Sequence, residues 1–356
     1  MPESVLVTGA FGLVGSAVVR QLAAADRRVV ATDLSTPANR KAVSALPAGV
    51  DVRWADLTDP GAVDRLVAEV SPAVIAHLAA VIPPAIYRNA KLARKVNVVA
   101  TATLVRAAQS QPTPPRFVLA SSNAVHGARN PYRVTDLLRA DSPLQPSDLY
   151  GGHKAEAERH VRTSALDWVV LRLGGVFNVD LGAMTVDADG LVFSTALPTD
   201  GRMHGVDVRD VASGFEAATT ADVVGEILMI GGDESHHLRQ GEAGSALAAA
   251  AGFVDAMPAG RPGDPNSDTD WYVTDWMDTA RAQQALSFQR HSWPDMLAEI
   301  RANAGWKRYP ARFISPLARA FLKRYAPYRN RPGQYSDPWW VIRDRWGEPG
   351  PDSEAS

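Results

Sequence analysis

Short apolar runs alternate with longer helix-period segments through the first 175 residues, and few folds accept that rhythm. The apolar runs fall at residues 5–8, 29–33, 50–54, 73–78, 117–121 and 168–173. Helical patterns lie between them, near 13–25, 62–70, 88–109 and 150–164. Strand and helix taking turns in this way define βαβ units and a parallel sheet. Runs this apolar suit strands covered on both faces. We therefore expect an α/β fold built on a doubly wound parallel sheet, with its ligand at the carboxyl ends of the strands.

After Gly175 the rhythm loosens; Gly, Pro and Asp increase, and short helices are expected near 208–219, 244–251 and 279–286. At 356 residues the chain holds one large α/β domain with a smaller lobe. Residues 1–175 read as the nucleotide-binding domain and 176–304 as mainly a substrate-binding lobe interleaved with it. Residues 305–356 form an extension rich in Pro, Arg and aromatics, whose last ten or so residues are expected to be disordered. No apolar run reaches bilayer length, so no integral membrane contact is expected, and the cytoplasm is the expected address. Cysteine is absent, which excludes a disulfide framework, a thiolate nucleophile and a cysteine metal site; no metal site is expected.

Thr8-Gly9-Ala10-Phe11-Gly12-Leu13-Val14-Gly15 sets three glycines where the first strand becomes the first helix. Glycine there permits a tight turn and lets main chain approach a pyrophosphate, and the helix N-terminus adds free N–H groups and a favourable dipole. The plainer reading is that the glycines only pack strand against helix. Asp33 tips the balance. It closes the second strand, where a carboxylate accepts from both adenosine-ribose hydroxyls and repels a 2′-phosphate, so NAD is expected rather than NADP. Asp56-Leu57 follows the third strand, where Asp56 either meets the adenine amino group or caps the helix at Pro60. Leu78, Ala79 and Ala80 end the fourth strand beside the nicotinamide half; His77 before them reads as structural.

Tyr150 and Lys154 are four residues apart on an expected helix, hence on one face. A free phenol titrates near ~10. A neighbouring ammonium is expected to lower that value and make the phenol a usable acid and base, while also holding the nicotinamide ribose. Ser121 and Ser122 end the fifth strand, where a hydroxyl either orients a substrate carbonyl or merely caps the next segment. Asn97 lies mid-helix, as a structural bridge or as part of a proton relay.

Together these residues resemble the NAD-dependent epimerase/dehydratase family, the extended branch of the short-chain dehydrogenases/reductases, over roughly residues 4–290. Besides the glycine turn, the resemblance rests on Asn97-Val98-Val99-Ala100-Thr101, Ser121-Ser122-Asn123-Ala124-Val125-His126-Gly127 and Tyr150-Gly151-Gly152-His153-Lys154. Val206-Asp207-Val208-Arg209-Asp210, Arg261-Pro262-Gly263-Asp264 and Asp278-Thr279-Ala280-Arg281-Ala282 extend it into the second lobe. It implies a Rossmann-type domain with NAD as cofactor, Tyr150 as acid/base, and Lys154 as its modulator and ribose ligand. By the same resemblance, Ser122 and Asn123 meet the substrate, Arg261 holds a nucleotide-sugar diphosphate with Arg202 assisting, and the helices near 88–109 and 150–164 form a homodimer. His126 stands where the family usually has tyrosine, and Asn123-Ala124 where sugar 4,6-dehydratases carry an Asp-Glu pair, which argues against water elimination.

The leading expectation is therefore oxidation of a secondary alcohol, or reduction of the ketone. A nucleotide-sugar 4-epimerase with tightly held NAD is the alternative, and a non-catalytic NAD-binding sensor or scaffold the reading from another class. The partner is a small molecule, with no nucleic-acid motif in sight. Net charge is −2, yet eight Lys/Arg and no acid fall between Lys307 and Arg331. Phe313, Ile314, Leu317, Phe321, Leu322 and Tyr325 recur there at helical spacing. Such a helix either docks on its own protein with a solvated basic edge, which is the expected case, or makes a peripheral contact with a membrane surface or anionic ligand. Trp339, Trp340 and Trp346 read as anchors of the tail.

Overall fold

A computed structural model describes residues 4–180 and 188–352. Its main sheet has seven strands: β1 (Ser4–Thr8), β2 (Arg28–Asp33), β3 (Asp51–Trp54), β4 (Val74–His77), β5 (Arg116–Ser122), β6 (Trp168–Leu173) and, after two strands of a second sheet, β9 (Glu226–Ile230). The order is β3-β2-β1-β4-β5-β6-β9, and every neighbouring pair is parallel. Strand order reverses between β1 and β4, so a crevice opens beyond their carboxyl ends. The second sheet joins β7 (Gly175–Phe177), β8 (Arg202–Asp207) and β10 (His237–Arg239).

Fourteen α-helices complete the described residues. Those of the first half are α1 (Leu13–Ala24), α2 (Pro37–Ala42), α3 (Pro60–Val70), α4 (Ala85–Arg88), α5 (Ala90–Arg94), α6 (Ala100–Gln109) and α7 (Leu149–Arg162). The second half adds α8 (Ala188–Ala196), α9 (Val208–Ala218), α10 (Gln240–Ala250), α11 (Ala280–Leu286), α12 (Trp293–Ala304), α13 (Arg308–Leu322) and α14 (Pro338–Arg345). The single helix expected over 88–109 is thus segmented, with a π-helical turn, Lys95–Val99, between α5 and α6.

Val5, Leu6 and Val7 are fully buried, because both faces of the sheet are covered. One core holds Val5, Val7, Val18, Leu22 and Phe215; the opposite one holds Leu6, Val63, Leu104, Phe117 and Val161. Strand β9 brings the chain back to the edge of the main sheet, parallel to β6.

The C-terminal extension departs from expectation at both ends. Helix α13 buries only Ala311 and Ser315, and leaves its large apolar side chains in solvent instead of docking them. Beyond it the chain packs closely. Tyr328, Val341, Ile342 and Trp346 join a cluster with Ile86, Tyr87 and Leu149, and Tyr150 lies against it. Gly347–Asp352, expected to be disordered, follow α7: the Pro349 carbonyl accepts from Leu149 N at 2.8 Å, and Asp352 meets His153 Nε2 at 2.9 Å and Arg94 Nη1 at 3.4 Å. Pro residues supply the stiffness and Asp352 the charge that hold this segment. Residues 353–356, the remainder of the expected disordered end, lie outside the described residues.

Candidate active site

The glycine turn is dictated sterically. Gly9 has φ +66, and a Cβ on it would sit 2.7 Å from Ala79 Cα. A Cβ on Gly15 would lie 2.0 Å from the Gly9 carbonyl oxygen. These glycines keep main chain tightly folded under the start of α1, where the N–H groups of Leu13 and Val14 belong to the first helical turn and need partners from outside the helix. Asp33, at the tip of β2, accepts from Phe11 N at 3.1 Å and Leu34 N at 2.7 Å. Each carboxylate oxygen keeps a second lone pair for a ribose hydroxyl. A cradle that any side chain would fill, a helix N-terminus and a clamped carboxylate together fit an adenine dinucleotide.

Nearby expectations resolve unevenly. Asp56 does not cap α3: it accepts from Thr58 N and Oγ1 at 2.9 and 2.7 Å, while Asp59 provides the cap. Leu57 is buried. Trp54 stacks on Phe11 with ring centroids 5.4 Å apart, so two rings stand beside the turn.

His77 is fixed between two threonines, with Nδ1 2.7 Å from Thr8 Oγ1 and Nε2 2.9 Å from Thr101 Oγ1. Thr101 already donates to the Asn97 carbonyl at 2.8 Å, so it accepts from His77, whose Nδ1 must accept from Thr8. Burial, aided by the Lys154 charge, lowers its pKa to about 3. His77 is a neutral structural link. Asn97, on the π turn, accepts from Val81 N at 2.7 Å and donates to its carbonyl at 2.8 Å. It bridges the helix to the chain that runs through Leu78, Ala79 and Ala80.

The two serines of β5 part company. Ser121 turns inward and donates to Glu158 Oε1 at 2.6 Å. Ser122 accepts from Ala124 N at 3.2 Å, donates to Asn123 Oδ1 at 3.4 Å, and lies near enough to the Tyr150 phenol to oppose the rise in its pKa. Capping and facing the phenol are thus done by one hydroxyl. Helix α7 carries Tyr150 into place because Asp148, at its N-cap, accepts from Gly151 N at 2.8 Å. Lys154 Nζ sits 5.8 Å from the centre of the Tyr150 ring and donates to the Ala120 carbonyl at 2.7 Å.

The electrostatics correct one expectation. Burial pushes the Tyr150 phenol well above its usual value; the Ser122 hydrogen bond opposes this and the Asp148 charge adds to it. Lys154 is itself buried, and its pKa falls to about 8, with Glu158 partly opposing the fall. Desolvation governs the phenol, and no lowering by the lysine offsets it.

Sequence reasoning missed the groups behind this pair. Glu158 and Arg172 form a buried ion pair, with Arg172 Nη2 2.7 Å from Glu158 Oε2. Arg172 Nη1 also donates to His126 Nε2 at 3.0 Å and the Ala140 carbonyl at 2.8 Å. An arginine inside an otherwise apolar strand was the available signal. Tyr87 donates to Asp148 Oδ2 at 2.7 Å; no local pattern announced that pair. Asn123 is buried with its Nδ2 unpartnered, next to Ser122.

Of the two arginines expected at a diphosphate, Arg261 is fully engaged elsewhere, while Arg202 keeps Nε and Nη1 buried without a hydrogen-bond partner. Arg261 points at the carbonyls of Tyr328 (3.1 Å), Arg331, Pro332 (3.4 Å) and Tyr335 (3.5 Å), and stacks on Tyr328. Arg202 lies over Trp276, 4.8 Å from its ring centre, and donates to the Pro131 carbonyl at 3.2 Å. The structure does not bring either beside Tyr150.

Fold and site together define a dinucleotide-binding α/β protein of the extended short-chain dehydrogenase/reductase class. Residues 5–179 match the model of the NAD dependent epimerase/dehydratase family. Similar proteins include D-erythronate dehydrogenase of Cupriavidus necator, 32% identical over 183 residues covering 48% of this chain and 54% of that protein. Another is dTDP-glucose 4,6-dehydratase of Neisseria gonorrhoeae, 33% identical over 175 residues, 45% of this chain and 49% of that protein. The chain thus spans about half the length of these relatives. Among solved structures, UDP-glucuronic acid 4-epimerase from Bacillus cereus, in complex with NAD, superposes with a TM-score of 0.66 at 19% identity, covering 85% of this chain and 98% of that one. At that identity the likeness concerns the fold.

Proposed function

We propose that this protein is an NAD-dependent oxidoreductase interconverting a secondary alcohol and its ketone, with Ser122, Tyr150 and Lys154 as its centre. The main chain of Gly9, Phe11, Gly12, Leu13, Val14 and Gly15 would hold the pyrophosphate and Asp33 the adenosine ribose. Asp56 and Leu57 would border the adenine; Leu78, Ala79 and Ala80, braced by Asn97, would line the nicotinamide half. When bound, NAD supplies the acceptor or donor of the hydride. The chain's own part is proton transfer and orientation. Ser122 positions the substrate oxygen, Tyr150 takes or returns its proton, and Lys154 holds the ribose. The observation that carries this reading is Lys154 Nζ 5.8 Å from the Tyr150 ring, with Ser122 ending β5 on the same sheet edge as the glycine cradle.

The state of Arg261 favours a substrate without a diphosphate. A nucleotide sugar would have to displace the carbonyls of the C-terminal segment from its guanidinium. A panel of nucleotide sugars, steroids and simple alcohols and ketones, followed by absorbance of reduced nicotinamide, tests the proposal. We expect NADH to accumulate with a diphosphate-free alcohol, and Tyr150→Phe to bind NAD but to lose turnover. Epimerisation of a nucleotide sugar with no net NADH would replace this reading by the 4-epimerase. NAD binding without turnover across the panel would favour a sensor or scaffold.

A further inference from the structure

Helix α13 turns its apolar side outward. Phe313 is 83% exposed and Leu317 72%, with Trp306 just before the helix at 73%. Tyr309, Ile314 and Phe321 are exposed beside them. Residues 309, 313, 317 and 321 recur every fourth position and so form one continuous ridge. The opposite side, through Ala311 and Ser315, is small and rests on the protein. Arg308, Arg312, Arg319 and Lys323, also at multiples of three and four, form a cationic line along one flank of the ridge. Among the described residues none of these four is ion-paired to an acid, and no Asp or Glu occurs from Lys307 to Arg331.

We propose that this face is a docking surface for an anionic lipid membrane, on which α13 lies flat with its ridge in the acyl boundary and its cationic line among the headgroups. Charge decides between occupants. A second copy of this chain seated on the same face would bring two uncompensated cationic lines together, whereas an anionic bilayer neutralises one line and buries the ridge at once. The contact is peripheral: among the described residues no helix is long and apolar enough to cross a membrane. Immediately after α13 the chain enters the Tyr328–Trp346 cluster against Tyr150, so the docked surface and the proposed site share one segment.

Flotation of the full chain with vesicles of phosphatidylcholine, alone or with about a third phosphatidylserine, tests this directly. Binding is expected only to the anionic vesicles, with release at high salt as screening shortens the charge interaction. Phe313→Asp with Leu317→Asp should reduce the bound fraction about tenfold or more, and Arg312→Glu with Arg319→Glu should do the same. These side chains are exposed, so unchanged circular dichroism and thermal melting are expected of both variants. Absence of wild-type binding to anionic vesicles would overturn the proposal. So would light scattering that shows a dimer in solution which Phe313→Asp splits, since the ridge would then be an interface between copies.

Discussion

Three buried histidines make the fold acid-sensitive by an amount that can be worked out. His77, His126 and His204 are 2%, 4% and 1% exposed, and each has one ring nitrogen that accepts a hydrogen bond. The acceptor is Nδ1 of His77, facing Thr8; Nε2 of His126, facing Arg172; and Nδ1 of His204, which takes Met277 N–H at 3.0 Å. Protonation would convert each acceptor into a donor aimed at a donor. Burial is the leading cause of their depression, to about 3, about 4 and about 3 respectively. An unfolded histidine titrates near ~6.5. A folded-state pKa below the unfolded one means stability fully present above pH ~6.5 and lost as pH falls towards the folded values. At pH ~5 the unfolded chain has taken up nearly three more protons at these sites, a loss of about 2 kcal/mol each and about 6 kcal/mol together. That is comparable with the whole stability of a typical domain, roughly 5–15 kcal/mol. The raised carboxyls of Asp148 and Asp275 work in the opposite sense and trim the loss on further acidification. Urea unfolding followed by tryptophan fluorescence at pH ~7.5 and ~5 measures the difference, and His126→Gln should remove about a third of it. Equal or greater stability at the lower pH would refute the reasoning.

Other expectations are equally concrete. Gly15→Val drives a side chain into the Gly9 carbonyl, so calorimetric titration should show NAD affinity reduced by more than about tenfold, with stability lowered by roughly 1–3 kcal/mol. Asp33→Ala should weaken NAD and remove the discrimination against NADP, read as the ratio of the two dissociation constants. Glu158→Gln leaves Arg172 charged and buried without its partner and should cost about 3–5 kcal/mol in urea unfolding; Glu158→Leu with Arg172→Met should recover much of that loss.

What was legible in the chain was what local chemistry dictates. The glycine turn could be read because only glycine fits under α1, and Asp33 because its strand delivers it to the same edge. The six strands of the first half differ from expectation by one residue or less at each end, since apolar runs covered on both faces leave few alternatives. Tyr150 and Lys154 were visible as a helical pair, but their protonation was not. Whether a lysine charge or desolvation governs a phenol depends on how deeply packing buries the pair, and here burial leads for both. Likewise, the partnerships of Glu158 with Arg172 and of Tyr87 with Asp148 are set by packing of distant segments. Arg261 shows the same limit: its motif could be read, but not the C-terminal carbonyls that occupy it. Helix α13 was legible as amphipathic, while the direction of its apolar face depended on how little of its surface the rest of the chain covers.

A crystal structure of the protein with NAD tests the central claim most directly. The account predicts the pyrophosphate over Gly9–Gly15, the adenosine ribose on Asp33, and the nicotinamide at the sheet edge with Tyr150 and Lys154 within hydrogen-bond reach of its ribose. NAD bound elsewhere, or a Tyr150 hydroxyl turned away from the nicotinamide with the cofactor in place, would contradict it.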